Sequence, residues 1–208
     1  MGLSKLLFND PAAFLMLAIP LLYSVIIHEL AHGWVAWKMG DPTAKWAGRL
    51  TFNPIKHLDL IGTLALFLIG FGWAKPVPVN IGNIQNQRKG LLLVSSAGIV
   101  ANIILAFIAL FIYKLIGNDA PDIILTSIFI LAKINIVLAA FNLIPIPPLD
   151  GSKILMSFTP PNVTNFLLRV EPYGFFIVLG LLIIGALNPV ISAFQWVIIS
   201  IISFFLPG

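Results

Sequence analysis

His28, Glu29 and His32 form an H-E-x-x-H pattern, and few other residues in this chain could do comparable chemistry. On a helix the two histidines are four residues apart, so both imidazoles leave one face and can grip a single metal ion. Glu29 lies beside them, placed to take a proton from a water that the metal activates. The flanks, LAIPLLYSVII before and GWVAWKM after, are apolar, so this chemistry would take place at membrane depth. Ionisable groups are costly there and by default mark function.

A third protein ligand can be sought by elimination. Histidine occurs elsewhere only at 57, glutamate only at 171, and cysteine not at all, which excludes thiolate sites and disulfides. No further histidine or glutamate follows closely after His32, so neither a nearby distal glutamate nor the H-x-x-G-x-x-H extension is available. Among the aspartates, Asp10 looks like a helix cap, Asp41 precedes proline in a turn, and Asp119 and Asp122 share a polar loop. Asp150 follows FNLIPIPPL, where prolines break a hydrophobic helix and can carry the carboxylate toward its neighbours. Asp150 is the expected third ligand, with His57 and Asp59 as alternatives.

The elements that must position these groups are membrane helices. The chain is 59% hydrophobic and 10% charged, where a soluble domain carries about 25% charged residues. A single integral-membrane domain over 1–208 is expected, all-α, with about five helices of about 20 residues and no separate soluble domain. The helices are expected near 11–39, 91–116, 123–143, 173–187 and 190–206, with Asn188-Pro189 marking the last break. The first is read as a retained helix rather than a cleaved signal, because no small-residue cleavage site precedes the motif. The segment 58–72 is short for a span and carries three glycines, so it is expected to be re-entrant or partly embedded. On that reading one basic loop, 40–90, holds Lys45, Arg49, Lys56, Lys75, Arg88 and Lys89 and faces the cytoplasm. Residues 47–53 have weak strand character, and the prolines of 73–82 keep that stretch extended. Either edge could bind an unwound substrate backbone, with Pro76, Val77, Pro78 and Val79 as the contact residues.

HELAH, GRLTFNPIKHLDLIGT, GWAKPVPVN, SAGIVAN and FNLIPIPPLDG, in this order, resemble the site-2 protease family of intramembrane zinc metalloproteases, in its compact prokaryotic branch without PDZ or CBS domains. The resemblance implies one catalytic zinc held by His28, His32 and Asp150, with Glu29 activating the water. It implies that Asn142 holds the substrate carbonyl or its oxyanion. Asn102 would be a supporting polar residue in a segment resembling G-P-x-x-N, where this chain has Ile99 in place of the proline. The implied activity is hydrolysis of peptide bonds within transmembrane segments of other proteins, in a prokaryotic cytoplasmic membrane.

Plainer readings stand beside these. Asn102 and Asn142 could be interhelical glue. His57 with Lys56 reads first as a solvated or headgroup-contacting pair, with a gating role as the alternative. Glu171, before Pro172, resembles a helix-entry residue. The tryptophans at 34, 37, 46, 73 and 196 suit membrane interfaces. The partners expected are transmembrane substrates, lipid and a regulatory membrane protein. The net charge of +4, without a basic patch interleaved with aromatics, makes no case for nucleic acid. A different class, an ion-binding transporter or scaffold, would use the same intramembrane residues without hydrolysis. It usually shows paired broken helices in two related halves, and only one broken segment is visible here.

Overall fold

The computed structural model describes residues 3–69, 72–117 and 120–206. Asn118 and Asp119 of the polar loop, and residues 70 and 71 of the short segment, lie outside them. Helix α1 (Leu3–Asn9) leads through Asp10 into α2 (Pro11–Lys38). Asp10 accepts the Ala13 N–H at 2.9 Å and Pro11 fills the first turn, so α2 starts where its cap dictates. A short α3 (Thr43–Trp46) and a 3-10 turn over Pro54–Lys56 follow, then α4 (Leu60–Ile69). Next come a second 3-10 turn at Ile81–Asn83, α5 (Gln87–Ile116) and α6 (Asp122–Asn142). The chain closes with α7 (Asp150–Phe158), α8 (Pro161–Ile183) and α9 (Asn188–Phe205).

Five of these, α2, α5, α6, α8 and α9, are long and apolar enough to cross a membrane. Helix α4 has ten residues, about 15 Å, half of the roughly 30 Å hydrocarbon core. It suits a partly embedded segment. No strand occurs among the described residues; their strand-like pairing within 47–82 is one isolated antiparallel bridge, Leu58 to Ala74. The strand expected at 47–53 is therefore replaced by turns, around Gly48 at φ +61°. The last spans also differ from expectation. Helix α8 begins at Pro161 rather than 173 and runs through Pro172. A membrane helix tolerates an internal proline when neighbouring groups satisfy the freed carbonyl, so Glu171 sits in mid-helix and is not an entry residue.

Helices α2, α5 and α6 pack against one another, α7 lies on α5, and α9 lies on α6. In lipid this association rests on close packing, which small residues allow. Ala106, Ala139 and Ala140 are fully buried and interlock with Ile99, Ile136, Ile198 and Ile202. Helix α8 is seated on the proline turn after α6. A Cβ at Gly174 would come 2.3 Å from the Pro147 carbonyl oxygen, so only glycine allows that approach. The outer surface is apolar, with Leu15, Ile19, Val100, Ile104 and Ile108 exposed to lipid.

Lys133 interrupts this surface, exposed near the midpoint of α6. A lysine facing lipid at that depth costs about 2.5–3.5 kcal/mol on insertion scales. Lys133→Leu is therefore expected to raise the thermal unfolding midpoint in liposomes. A fall would show that this face meets a carboxylate or water.

Candidate metal centre

The two motif histidines lie in the second half of α2, 6% and 9% exposed. The Nε2 atoms of His28 and His32 are 3.0 Å apart, and Asp150 Oδ2 is 3.0 Å from the first and 3.1 Å from the second. Asp150 reaches them because the chain turns sharply after Asn142 and re-enters as α7, with Asp150 in its first turn. A Cβ at Gly151 would meet the Leu143 carbonyl oxygen at 2.3 Å, so the D-G pair is what lets α7 fold back this tightly.

The partners of the two rings indicate what the cluster can hold. His28 Nδ1 donates to Asn102 Oδ1 at 2.6 Å, and His32 Nδ1 donates to the Val94 carbonyl at 2.7 Å. Both partners are acceptors, so a neutral ring at either position would carry its proton on Nδ1 and present a lone pair at Nε2. Two lone pairs and a carboxylate oxygen would then converge, a donor set that suits a cation. Zinc with bonds of about 2.0–2.2 Å to nitrogen and oxygen accepts such a donor set. Against this point sits Gly98 of α5: a Cβ there would come 2.5 Å from His32 Nε2 and 2.6 Å from His28 Nε2. The site fits a single metal ion, and His28, His32 and Asp150 could hold it.

Glu29 lies beside the cluster, and its Oε2 accepts the Val77 N–H at 2.8 Å. That N–H belongs to the extended stretch predicted at 73–82, which is pinned along its length. The Lys75 backbone N–H donates to the His57 carbonyl at 2.8 Å, and Arg49 Nη2 donates to the Lys75 carbonyl at 2.7 Å. Asn80 N–H donates to Asp41 Oδ2 at 2.7 Å. The Val77 side chain is buried, and a Cβ on Gly33 of α2 would come 2.7 Å from it.

A cavity of about 750 Å³ opens beside these groups. His28, Glu29, His32, Asp150 and Asn142 border it, together with Pro76, Val77 and Val79, while Pro78 does not. Asn142 donates one amide hydrogen to the Leu138 carbonyl at 3.0 Å. Glu171 also borders the cavity, from α8. His57 stands apart. It is 1% exposed and its Nε2 donates to the Thr51 carbonyl at 2.7 Å, which corrects the solvated reading. Its ring braces the loop that clamps Lys75. Spacing gave no hint of Gly98, of Ser24 or of Asn135. The available signals were a glycine one turn before Asn102 and an asparagine two turns before Asn142.

Asp41 anchors the far end of the clamp. It is fully buried, and besides Asn80 it accepts from the Thr43 hydroxyl and N–H and from the Asn83 amide. Burial pushes its carboxyl up, but the hydrogen bonds from Thr43, Asn80 and Asn83 outweigh this and hold it below the usual carboxylate range. Because the folded value is lowered, the stabilisation is full above about pH 4, the unfolded value. It is lost as pH falls through the lower folded value. Asp41→Ala is expected to destabilise by about 2 kcal/mol at neutral pH and to flatten the acid limb of a thermal-midpoint profile. An unchanged acid limb would count against this role.

A profile described as Peptidase family M50 matches residues 112–184, a stretch that includes Asn142 and Asp150. The chain is 45% identical over 174 residues to "Putative zinc metalloprotease YwhC" of Bacillus subtilis (strain 168), covering 80% of each chain. It is 30% identical over 181 residues to "Putative zinc metalloprotease Rip2" of Mycolicibacterium smegmatis, covering 84% of this chain and 69% of that one. It is 27% identical over 154 residues to "Zinc metalloprotease MJ0392" of Methanocaldococcus jannaschii, covering 74% and 37%. No solved structure matches. The fold and the convergent donor set define a membrane-embedded zinc metalloprotease, and the chain belongs to peptidase family M50, the site-2 proteases.

Proposed function

We propose that this metalloprotease hydrolyses peptide bonds inside the transmembrane segments of other membrane proteins. The observation that carries the reading is the convergence of His28, His32 and Asp150 beside an open cavity, with both histidines on α2, a helix long and apolar enough to cross a membrane. Three protein ligands beside an open cavity favour a catalytic over a closed, four-ligand site.

His28, His32 and Asp150 would hold the zinc. When bound, it supplies Lewis acidity, acidifying a water and polarising a peptide carbonyl. Glu29 then accepts the water proton and hands it to the leaving amine. The Val77 N–H holds one of its oxygens and leaves the other for that proton. Asn142, with a second amide hydrogen to give, steadies the substrate carbonyl as it becomes an oxyanion. Asn102 orients His28.

A substrate helix has its backbone hydrogen bonds satisfied internally and must unwind before cleavage. The 76–79 stretch borders the cavity and is a candidate to receive it. Prolines at 76 and 78 have no N–H, and that of Val77 goes to Glu29. What remains for a substrate backbone is chiefly carbonyl acceptors and the Val79 N–H, so pairing there would be one-sided. Deleting the Val77-Pro78-Val79 stretch without losing cleavage would remove this role. The basic 40–90 loop would face the cytoplasm of a prokaryotic cell. Regulation would come from a membrane partner or from substrate shape, with His57 acting, if it gates, through the Lys75 clamp.

The test is cleavage of a panel of single-span peptides in liposomes, with products mapped by mass spectrometry. Zinc-dependent cuts inside the apolar stretch are expected. Cuts confined to the flanks would contradict intramembrane action.

A further inference from the structure

We propose that Asn135 of α6 is a positioning residue of the metal centre, acting through Asn102 to hold the His28 imidazole in the tautomer that presents Nε2 to the metal. This rests on the zinc-site reading above and concerns a residue that touches neither the cluster nor the cavity.

Asn135, Asn102 and Ser24 are buried at 0%, 0% and 1% exposure, where α6, α5 and α2 meet. Asn135 spends both amide hydrogens, one on the Ser24 hydroxyl at 2.8 Å and one on the Leu131 carbonyl at 2.8 Å. Its Oδ1 accepts from Asn102 Nδ2 at 2.7 Å. Asn102 gives its other amide hydrogen to the Ser24 carbonyl at 3.3 Å and takes the His28 Nδ1 proton at 2.6 Å.

The chain of bonds therefore has one polarity. The Leu131 carbonyl can only accept, so it sets the face that Asn135 turns to Asn102, and that face is an acceptor. Flipping Asn135 would set oxygen against the Leu131 carbonyl and amide hydrogen against amide hydrogen. Flipping Asn102 would point its NH₂ at His28 and favour a proton on Nε2, the atom that must bind the metal. Asn102 alone could turn either way in a low-dielectric interior; Asn135 and the Ser24 carbonyl remove the choice.

A structural reading of Asn135 as interhelical glue makes a different prediction, so the two can be separated. The experiment measures zinc affinity by chelator competition, the absorption spectrum of the cobalt-substituted protein and the thermal midpoint of the metal-free protein. The proteins are wild type, Asn135→Leu, Asn102→Asp and the double variant. For Asn135→Leu we expect zinc affinity to fall about 10–100-fold, with an altered cobalt spectrum. A carboxylate at 102 accepts through either oxygen and cannot be misoriented, so Asn135→Leu should cost no affinity in the Asn102→Asp background. Asn135→Ala removes the same acceptor without adding an apolar side chain; it should weaken zinc about 10–100-fold and decides the matter if Asn135→Leu does not fold.

Wild-type zinc affinity and cobalt spectrum with only a lowered thermal midpoint would overturn the proposal. So would equal loss in both backgrounds. Failure of the wild type itself to bind zinc would instead sink the reading on which the proposal rests.

Discussion

Glu29→Gln is expected to keep one zinc per chain and to lose about 10²–10⁴-fold in cleavage rate, the range that a general base contributes. The substitution is nearly isosteric, and the glutamine carbonyl oxygen can still accept the Val77 N–H that Glu29 Oε2 accepts at 2.8 Å. Packing and the donor set are thus left in place while the proton acceptor is removed. The loss should therefore fall on kcat. Cleavage of a single-span peptide in liposomes, with metal content measured on the same preparation, checks it. Unchanged cleavage would transfer the base to another group, and loss of zinc would mean that Glu29 helps to hold the metal.

Gly98→Ala should have a comparably large effect by the opposite route, on the metal and not on proton transfer. Its Cβ would come 2.5 Å from His32 Nε2 and 2.6 Å from His28 Nε2, so both donor atoms would have to retreat. They cannot retreat freely. His32 is tied through Nδ1 to the Val94 carbonyl, one turn away on the same helix as Gly98, and His28 is tied to Asn102, one turn on the other side. Moving α5 away from α2 would carry those anchors with it. A fall in zinc affinity of at least about 100-fold is expected, comparable to the upper range for disturbing groups that orient metal ligands. Glu29→Gln would then retain zinc without activity, and Gly98→Ala would lose both. Wild-type zinc affinity in Gly98→Ala would show that the two helices yield more easily than this packing implies.

The parts of the molecule that were legible in the sequence are those whose signal is local. The i, i+4 histidines, the cap at Asp10 and the apolar length of α2, α5 and α6 each depend on neighbours in the chain. Asp150 could be reached because the chain has so few other candidates, and the structure brings it to within 3.1 Å of both histidines.

What was not legible depends on tertiary contacts. The Val94 carbonyl that orients His32 is a backbone atom with no sequence signature. Asn135 and Gly98 gain their meaning only when α5, α6 and α2 are placed side by side. Pro172 suggested a boundary because proline usually ends helices, but α8 runs through it. His57 beside Lys56 looked solvated because its neighbours are polar, yet it is buried under the clamp on Lys75. The strand expected at 47–53 followed a weak alternation that no partner strand supports.

The central claim is that His28, His32 and Asp150 hold one zinc ion with a position left open for chemistry. Zinc K-edge absorption on the purified protein in lipid, with metal stoichiometry, tests it most directly. The account predicts one zinc per chain in a shell of four nitrogen and oxygen donors at about 2.0–2.2 Å, two of them with the outer-shell scattering of imidazole. Metal-replete protein without stoichiometric zinc, or zinc bound without histidine, would contradict it.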